Sequence, residues 1–357
     1  MDIIISHKSA LEYWRLPRNG EIDDAARSRR KGVPSGVPGI ADLHSVMPSG
    51  LSYPVNLMVN NQNAKWNSKI ARRRVYAGRV PDQCFVRIGD GVSVSSPEFC
   101  FFQMAEELPL VKLIELGCEL CGTYSLPAND EDRNKLNSAS SQEHDGHDAM
   151  TLYPGMDFGS VRKRAGGPGK KAETAPRGFR NRPALTSTKA LKAFTSHMEG
   201  VKGRKKAARA LRYIAGGSAS PRETILFMLL TLPYKLGGYG LPMPAFNRQI
   251  NLGKMQKKSR GKAYYKCDLF WAEAEFAVEY DSTMHHTGAD RIADDAKKRQ
   301  DLDELGIHVI TVTSKQIGSV LDFESVAKHI AGKLGKQLRY KEPVFTKNRN
   351  ELRGLLL

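Results

Sequence analysis

Cys267-Asp268-Leu269-Phe270-Trp271, the turn Ala272-Glu273-Ala274, and Phe276-Ala277-Val278-Glu279-Tyr280-Asp281 decide how the C-terminal part of this chain folds. Two runs of aromatic and branched apolar residues flank a short polar turn, which predicts two adjacent strands. That turn sets Asp268 beside Glu279. Glu279 and Asp281 are two residues apart, so on a strand their side chains share one face. A charge inside Phe276-Ala277-Val278-Glu279-Tyr280 needs a partner or a metal. Two carboxylates in one cleft repel unless a cation lies between them, and oxygen ligands of this kind suit Mg²⁺ or Mn²⁺. Asp268 and Glu279 are therefore the expected metal ligands. His285 and His286 follow at once, and His286 is the preferred general acid or base.

Working outward, Ser220-Pro221-Arg222-Glu223 opens a helix with Ile225, Leu226, Met228, Leu229 and Leu230 buried. Glu223 stands at a capping-box position, which by itself gives it a structural role. The Gly-rich stretch 236–242 is a tight loop and no dinucleotide fingerprint, because no strand precedes it and Pro242 follows Leu241. Strands are expected at 246–252, 263–270 and 276–280, a helix at 289–305 ended by Gly306, a strand at 308–313 and a basic helix at 323–338. Helix, three strands, helix, strand, helix is an α/β domain with a mixed sheet, expected over 185–345 with a tail at 346–357.

Upstream, residues 1–124 predict a smaller α+β domain. Ser6 or Ser9 caps a first helix, and Ser9 with Glu12 makes a capping box. Short strands are expected at 54–59, 74–76, 84–88 and 92–94, with Gly89-Asp90-Gly91 as a turn. Ser96-Pro97-Glu98 starts a helix. Arg72-Arg73-Arg74 reads as a solvated strand edge or a phosphate contact. Cys118 and Cys121 read as small buried hydrophobes rather than zinc ligands.

The chain has 357 residues, 55 Lys and Arg against 38 Asp and Glu, and a net charge of +17. Such a surplus favours a polyanionic partner, most simply nucleic acid. From Arg162 to Arg212 sixteen cations face two acids. Residues 125–184, poor in branched apolar residues, are expected to be a disordered basic linker. Residues 186–215 read as basic helices, with Lys202, Arg204, Lys205, Lys206 and Arg209 on a phosphate-facing surface beside an apolar stripe of Leu191, Phe194, Met198, Ala207, Leu211 and Ile214. No apolar run approaches membrane-spanning length. Five cysteines make no disulfide framework, which fits a reduced, cytoplasmic protein.

The residues 267–271, 277–282 and 286, extended by Asp294, Asp295, Lys298, Arg299, Leu302, Gly306 and the strand at 308–313, resemble the PD-(D/E)XK nuclease superfamily, and within it the very-short-patch-repair (Vsr-like) endonucleases. The resemblance covers roughly 130 residues. It implies a restriction-endonuclease-like fold and Mg²⁺-dependent DNA cleavage, with Asp268 and Glu279 as metal ligands and Glu223 as a supporting acid. Cys267 stands where the motif has Pro, and Asp281 where it has Lys. Lys298 or Arg299, from the following helix, is the candidate for the missing cation. At the N-terminus, residues 5–12 and 94–98 resemble AbiEi-like abortive-infection antitoxins, which implies a DNA-binding or regulatory domain. The combination implies defence or a toxin–antitoxin setting, with room for a protein partner or a homodimer. A catalytically inactive DNA-binding regulator is the alternative.

Overall fold

The computed structural model describes residues 2–17, 27–28, 32–35, 43, 46–61, 68–78, 80–81, 83–134, 178–252, 263–281 and 289–357. The chain divides into two compact units. The first comprises Met1–Ser138 with Gly178–Ile214, and the described part of the second is Ala215–Leu357.

The described residues of the first unit form a six-stranded mixed sheet from β1 (Ile3–Ile5), β2 (Arg27–Ser28), β3 (Val55–Val59), β4 (Ala71–Val75), β5 (Phe85–Gly89) and β6 (Val92–Ser95). The spatial order is β2-β5-β6-β1-β3-β4, which leaves β4 on an edge. β1 runs parallel to β6 and antiparallel to β3. α1 (His7–Arg15) follows β1, and α2 (Pro97–Glu107) and α3 (Leu110–Leu120) follow β6. α2 begins as its sequence predicts: Ser96 Oγ accepts the Phe99 N–H at 3.3 Å and Pro97 takes the first helical position. α1 departs from expectation. Ser6 is its N-cap but makes no side-chain cap bond, and Ser9 Oγ accepts from Asn56 N at 2.9 Å and Asn56 Nδ2 at 3.2 Å instead of capping. Cys118 and Cys121 are buried and form no disulfide, as expected.

Two expectations about the middle of the chain are corrected. The linker is shorter than 125–184. β7 (Tyr124–Ser125) pairs with β8 (Arg180–Asn181), and Arg180 forms an ion pair with Asp132. Residues 135–177 lie outside the described residues. The basic helices, α4 (Thr188–Ser196) and α5 (Arg204–Ala210), belong to the first unit rather than to the domain expected over 185–345. They pack on α2 and α3: the Phe194 ring lies 5.6 Å from that of Phe99 and 6.3 Å from that of Phe102. Periodicity identifies the buried face of a helix, not the core it is buried against.

The second unit runs α6 (Pro221–Thr231), β9 (Ala245–Asn251), β10 (Tyr264–Trp271), β11 (Phe276–Asp281), α7 (Ala289–Glu304), β12 (His308–Thr313), α8 (Ser314–Gly318), α9 (Val320–Lys333) and α10 (Val344–Leu356). Its four strands lie in the order β12-β11-β10-β9; β10 is antiparallel to both neighbours and β11 is parallel to β12. The α/β class with a mixed sheet is the expected one. α6 is buried along its whole length, with Phe227 4.9 Å from Phe246 of β9. Cys267, Ala277, Leu302 and Ile307 share an apolar cluster that ties α7 to the sheet. The expected tail at 346–357 is instead most of α10, which buries Phe345, Leu352 and Leu356 and packs against α6 and the turn Tyr234–Leu236. Its polar stretch Lys347-Asn348-Arg349-Asn350 hides the apolar spacing. Among the described residues, no helix is long and apolar enough to cross a membrane.

Candidate active site

β10 and β11 pair through Leu269↔Val278, Phe270↔Ala277 and Trp271↔Phe276. One step further along both strands brings Asp268 to Glu279. There the ladder gives way to a side chain: Asp268 Oδ2 accepts the Tyr280 N–H at 2.8 Å. Burial raises the Asp268 carboxyl to about 7, and repulsion from Glu279 and Glu223 adds to it, while the Tyr280 N–H and Lys298 act the other way. A group that exchanges its proton near neutrality thus sits on the strand that the sequence singles out.

Glu279 is tied to α7. Its Oε2 accepts from Lys298 Nζ at 2.7 Å, and the same ammonium donates to the Lys266 carbonyl at 2.7 Å. Glu279 Oε1 is buried with no nitrogen or oxygen donor. Cys267 has no role in such chemistry: burial, reinforced by Glu279, pushes its thiol up to about 12.

Glu223 is held by the start of α6. Its Oε2 accepts from Ala219 N at 2.9 Å and Asn247 Nδ2 at 2.7 Å, and its Oε1 accepts the Ser220 hydroxyl at 2.9 Å. Ser220 Oγ accepts the Glu223 N–H at 3.2 Å in return. Burial raises the Glu223 pKa, and Glu279 contributes in the same direction. Both oxygens serve local hydrogen bonds, so Glu223 acts on Asp268 through its charge.

Asn247 is the member of this group that sequence reasoning missed. On β9, it lies between the paired positions Cys267↔Arg248 and Leu269↔Phe246, opposite Asp268 of β10. Its φ of 48° is left-handed, a conformation Asn tolerates better than most residues, and its amide also donates to the Gly217 carbonyl at 3.0 Å. An isolated Asn on a strand carries no sequence signal of such a role.

The remaining expected residues are dispersed. Asp281 ends β11 opposite Thr313 and is half-buried. Arg299 is exposed on α7, so of the two candidate cations Lys298 is the one that reaches Glu279. His286 lies outside the described residues. Lys202, Arg204, Lys205, Lys206 and Arg209 lie in the first unit. Lys202 pairs with Glu106 at 3.2 Å, Arg204 with Glu199 at 3.6 Å, and Lys206 donates to the Leu108 carbonyl at 3.0 Å. Lys205 and Arg209 are exposed.

Among the described residues, no three His, Cys, Asp or Glu side chains converge as a metal cage. The pair of Asp268 and Glu279 nevertheless fits a hard divalent cation. Glu279 Oε1 is a buried acceptor without a nitrogen or oxygen donor, and Asp268 is driven to hold a proton by burial and then by the neighbouring acids. A cation taking two protein oxygens and keeping several waters satisfies both. No family model, no curated protein and no solved structure matches this chain.

Proposed function

We propose that the second unit is a metal-dependent endonuclease of the PD-(D/E)XK type that hydrolyses phosphodiester bonds in DNA. The observation that carries this reading is the meeting of Asp268 and Glu279, on adjacent strands, with Lys298 of α7. The acids come from adjacent strands, and the lysine that the motif lacks at position 281 is supplied from α7, with its Nζ 2.7 Å from Glu279. The element order from α6 through β12 is the frame that the motif resemblance implies. Asp268 and Glu279 would hold Mg²⁺ or Mn²⁺, which when bound activates a water and stabilises the charge developing on the phosphodiester. Lys298 places a cation and proton donors beside Glu279. Glu223, fixed by Ser220, Ala219 and Asn247, adds the negative field that keeps the site attractive to a cation. By the AbiEi-like resemblance, the first unit is a DNA-binding or regulatory domain, in a cytoplasmic defence setting with a protein partner or a second copy.

The Lys298–Glu279 pair also supports a second reading. An ammonium already neutralises one of the two acids, so the site can stand without metal, as in an inactive DNA-binding regulator. Cleavage of supercoiled plasmid with Mg²⁺ or Mn²⁺ separates the two. The nuclease nicks DNA only with metal, and Asp268→Asn, Glu279→Gln and Lys298→Met each abolish nicking. DNA retained on the protein without any nicking, on plasmid, linear duplex or single strands, establishes the regulator.

A further inference from the structure

The first unit contains an open cleft of about 410 Å³, a volume typical of small-molecule sites. It lies along the edge strand β4, where Arg72, Arg73 and Arg74 follow one another, and against the first turn of α1, where His7 lines it. Three features there bear on what it binds. His7 has a φ of 52°, a left-handed conformation that costs a non-glycine residue energy and gathers at functional sites. The first turn of α1 has no side-chain cap from Ser6, whose hydroxyl lies 3.0 Å from His7 Nδ1 instead, and its first N–H is met from α2.

Gln103 is the third. It is 4% exposed and lines the cleft. Its Oε1 accepts the His7 backbone N–H at 2.9 Å, and only the oxygen end of the amide can accept. The nitrogen end is thereby fixed as a donor, and Gln103 Nε2 is buried with no acceptor. A buried donor without an acceptor is costly unless something completes it. The surroundings say what that is. Arg74 is engaged by Asn56 Oδ1 at 3.1 Å and by Glu107, whereas Arg72 is exposed at the rim. The one acid on the lining among the described residues, Glu106, is paired with Lys202 at 3.2 Å. His7 is neutral at pH 7, since burial and then Arg74 lower it to about 3, so it adds no charge to the cleft, and its Nδ1 is engaged by Ser6 Oγ at 3.0 Å. The apolar wall carries Tyr76, half-buried and set edge-on to Phe99 with centroids 5.4 Å apart.

We propose that this cleft binds a small organic phosphate of mononucleotide size. The phosphate sits at the start of α1 between Gln103 Nε2 and the arginines of β4, and the ring of the ligand lies against Tyr76. The proposal concerns the first unit alone and does not depend on the nuclease reading.

The test is calorimetric titration of the full chain in metal-free buffer containing EDTA, which keeps the Asp268–Glu279 pair unloaded. The probes are inorganic phosphate, adenosine and adenosine 5′-monophosphate. The expected result is one site per chain, with the monophosphate bound at least tenfold more tightly than either part alone. Gln103→Glu keeps the acceptor for the His7 N–H and replaces the donor with a charge that repels phosphate. Arg72→Ala removes an exposed side chain and leaves the fold intact. Each is expected to weaken the monophosphate at least tenfold. Equal affinity for phosphate and monophosphate, no binding of either, or affinity unchanged in both variants overturns the proposal.

Discussion

Asp268 is where the chemistry and the stability of the second unit oppose each other. Its ordinary pKa is 3.8 and it stands at about 7 in the fold, chiefly through burial and the neighbouring acids. Below pH 4 both folded and unfolded chains carry the proton. Between the two values the folded chain keeps a proton that the unfolded chain has released, so rising pH lowers stability, by up to ~1.4 kcal/mol per pH unit. Above about 7 the loss is complete. Asp268→Asn removes this loss, so in urea unfolding the variant gains on the wild type steadily from pH 4 to pH 7.5; a gap independent of pH would refute the assignment. In the proposed nuclease, the same titration makes Mn²⁺ affinity rise as pH passes through 7. Lys298 is the complementary case. Lys298→Met leaves the partly buried Glu279 without its donor, which costs about 1–3 kcal/mol at pH 7, and the double variant with Glu279→Gln recovers most of it. Unfolding midpoints of the two single variants and the double variant measure this coupling. At this scale the sequence was informative about the acids, because a charge on an apolar strand demands an explanation. It named Lys298 only as one of two candidates, since which turn of α7 faces Glu279 depends on packing. Asn247 was invisible, because its role rests on one backbone dihedral.

Elements with strong patterns were legible and those held by their surroundings were not. The strands of the second unit were readable within a residue or so, because β10 and β11 are apolar runs parted by a polar turn. β1 escaped notice: three isoleucines are too short to read as a strand, yet they are buried at 2%, 0% and 0% between β6 and β3. α10 escaped because its buried positions are few and spaced by charged residues. Just after the turn that receives α10, two glycines lie tight against backbone. A Cβ on Gly238 would stand 2.2 Å from the Leu232 carbonyl oxygen, and one on Gly237, at φ +86°, would stand 2.2 Å from that of Asn348. Backbone cannot yield as a side-chain tip can, so Gly238→Ala should cost about 1–3 kcal/mol. Gly332, inside α9, has nothing within 4 Å of the added Cβ. Gly332→Ala should stabilise by ~0.4–1 kcal/mol through the unfolded chain. Opposite shifts of the urea midpoint in these two variants are the expected outcome; a loss in both would mean that helix α9 is constrained in some way its open side does not reveal.

For the whole molecule, the decisive question is where one core ends and the next begins. The composition places the boundary ahead of the basic helices, at 185, since the linker-like stretch poor in branched apolar residues gives way there to helical periodicity. Packing places it at Ile214, because the stripe of α4 and α5 is filled by Phe99 and Phe102 of the first unit, and at the other end it extends the second unit through α10. Two fragments test this. Residues 215–357 keep α6 with both the sheet and α10, and should fold on their own with a cooperative thermal transition. Residues 185–345 carry the apolar faces of α4 and α5 without the helices that cover them. They also lack Leu352 and Leu356, whose full burial contributes ~1.5–3 kcal/mol each. That fragment should be poorly soluble or melt without cooperativity. If the second unit is the proposed nuclease, residues 215–357 should still nick plasmid with Mg²⁺. Their DNA affinity should depend less steeply on salt than that of the full chain, because Lys205 and Arg209 are gone. A cooperative 185–345 fragment beside an unfolded 215–357 would return the basic helices to the second unit and make the division by composition the correct one.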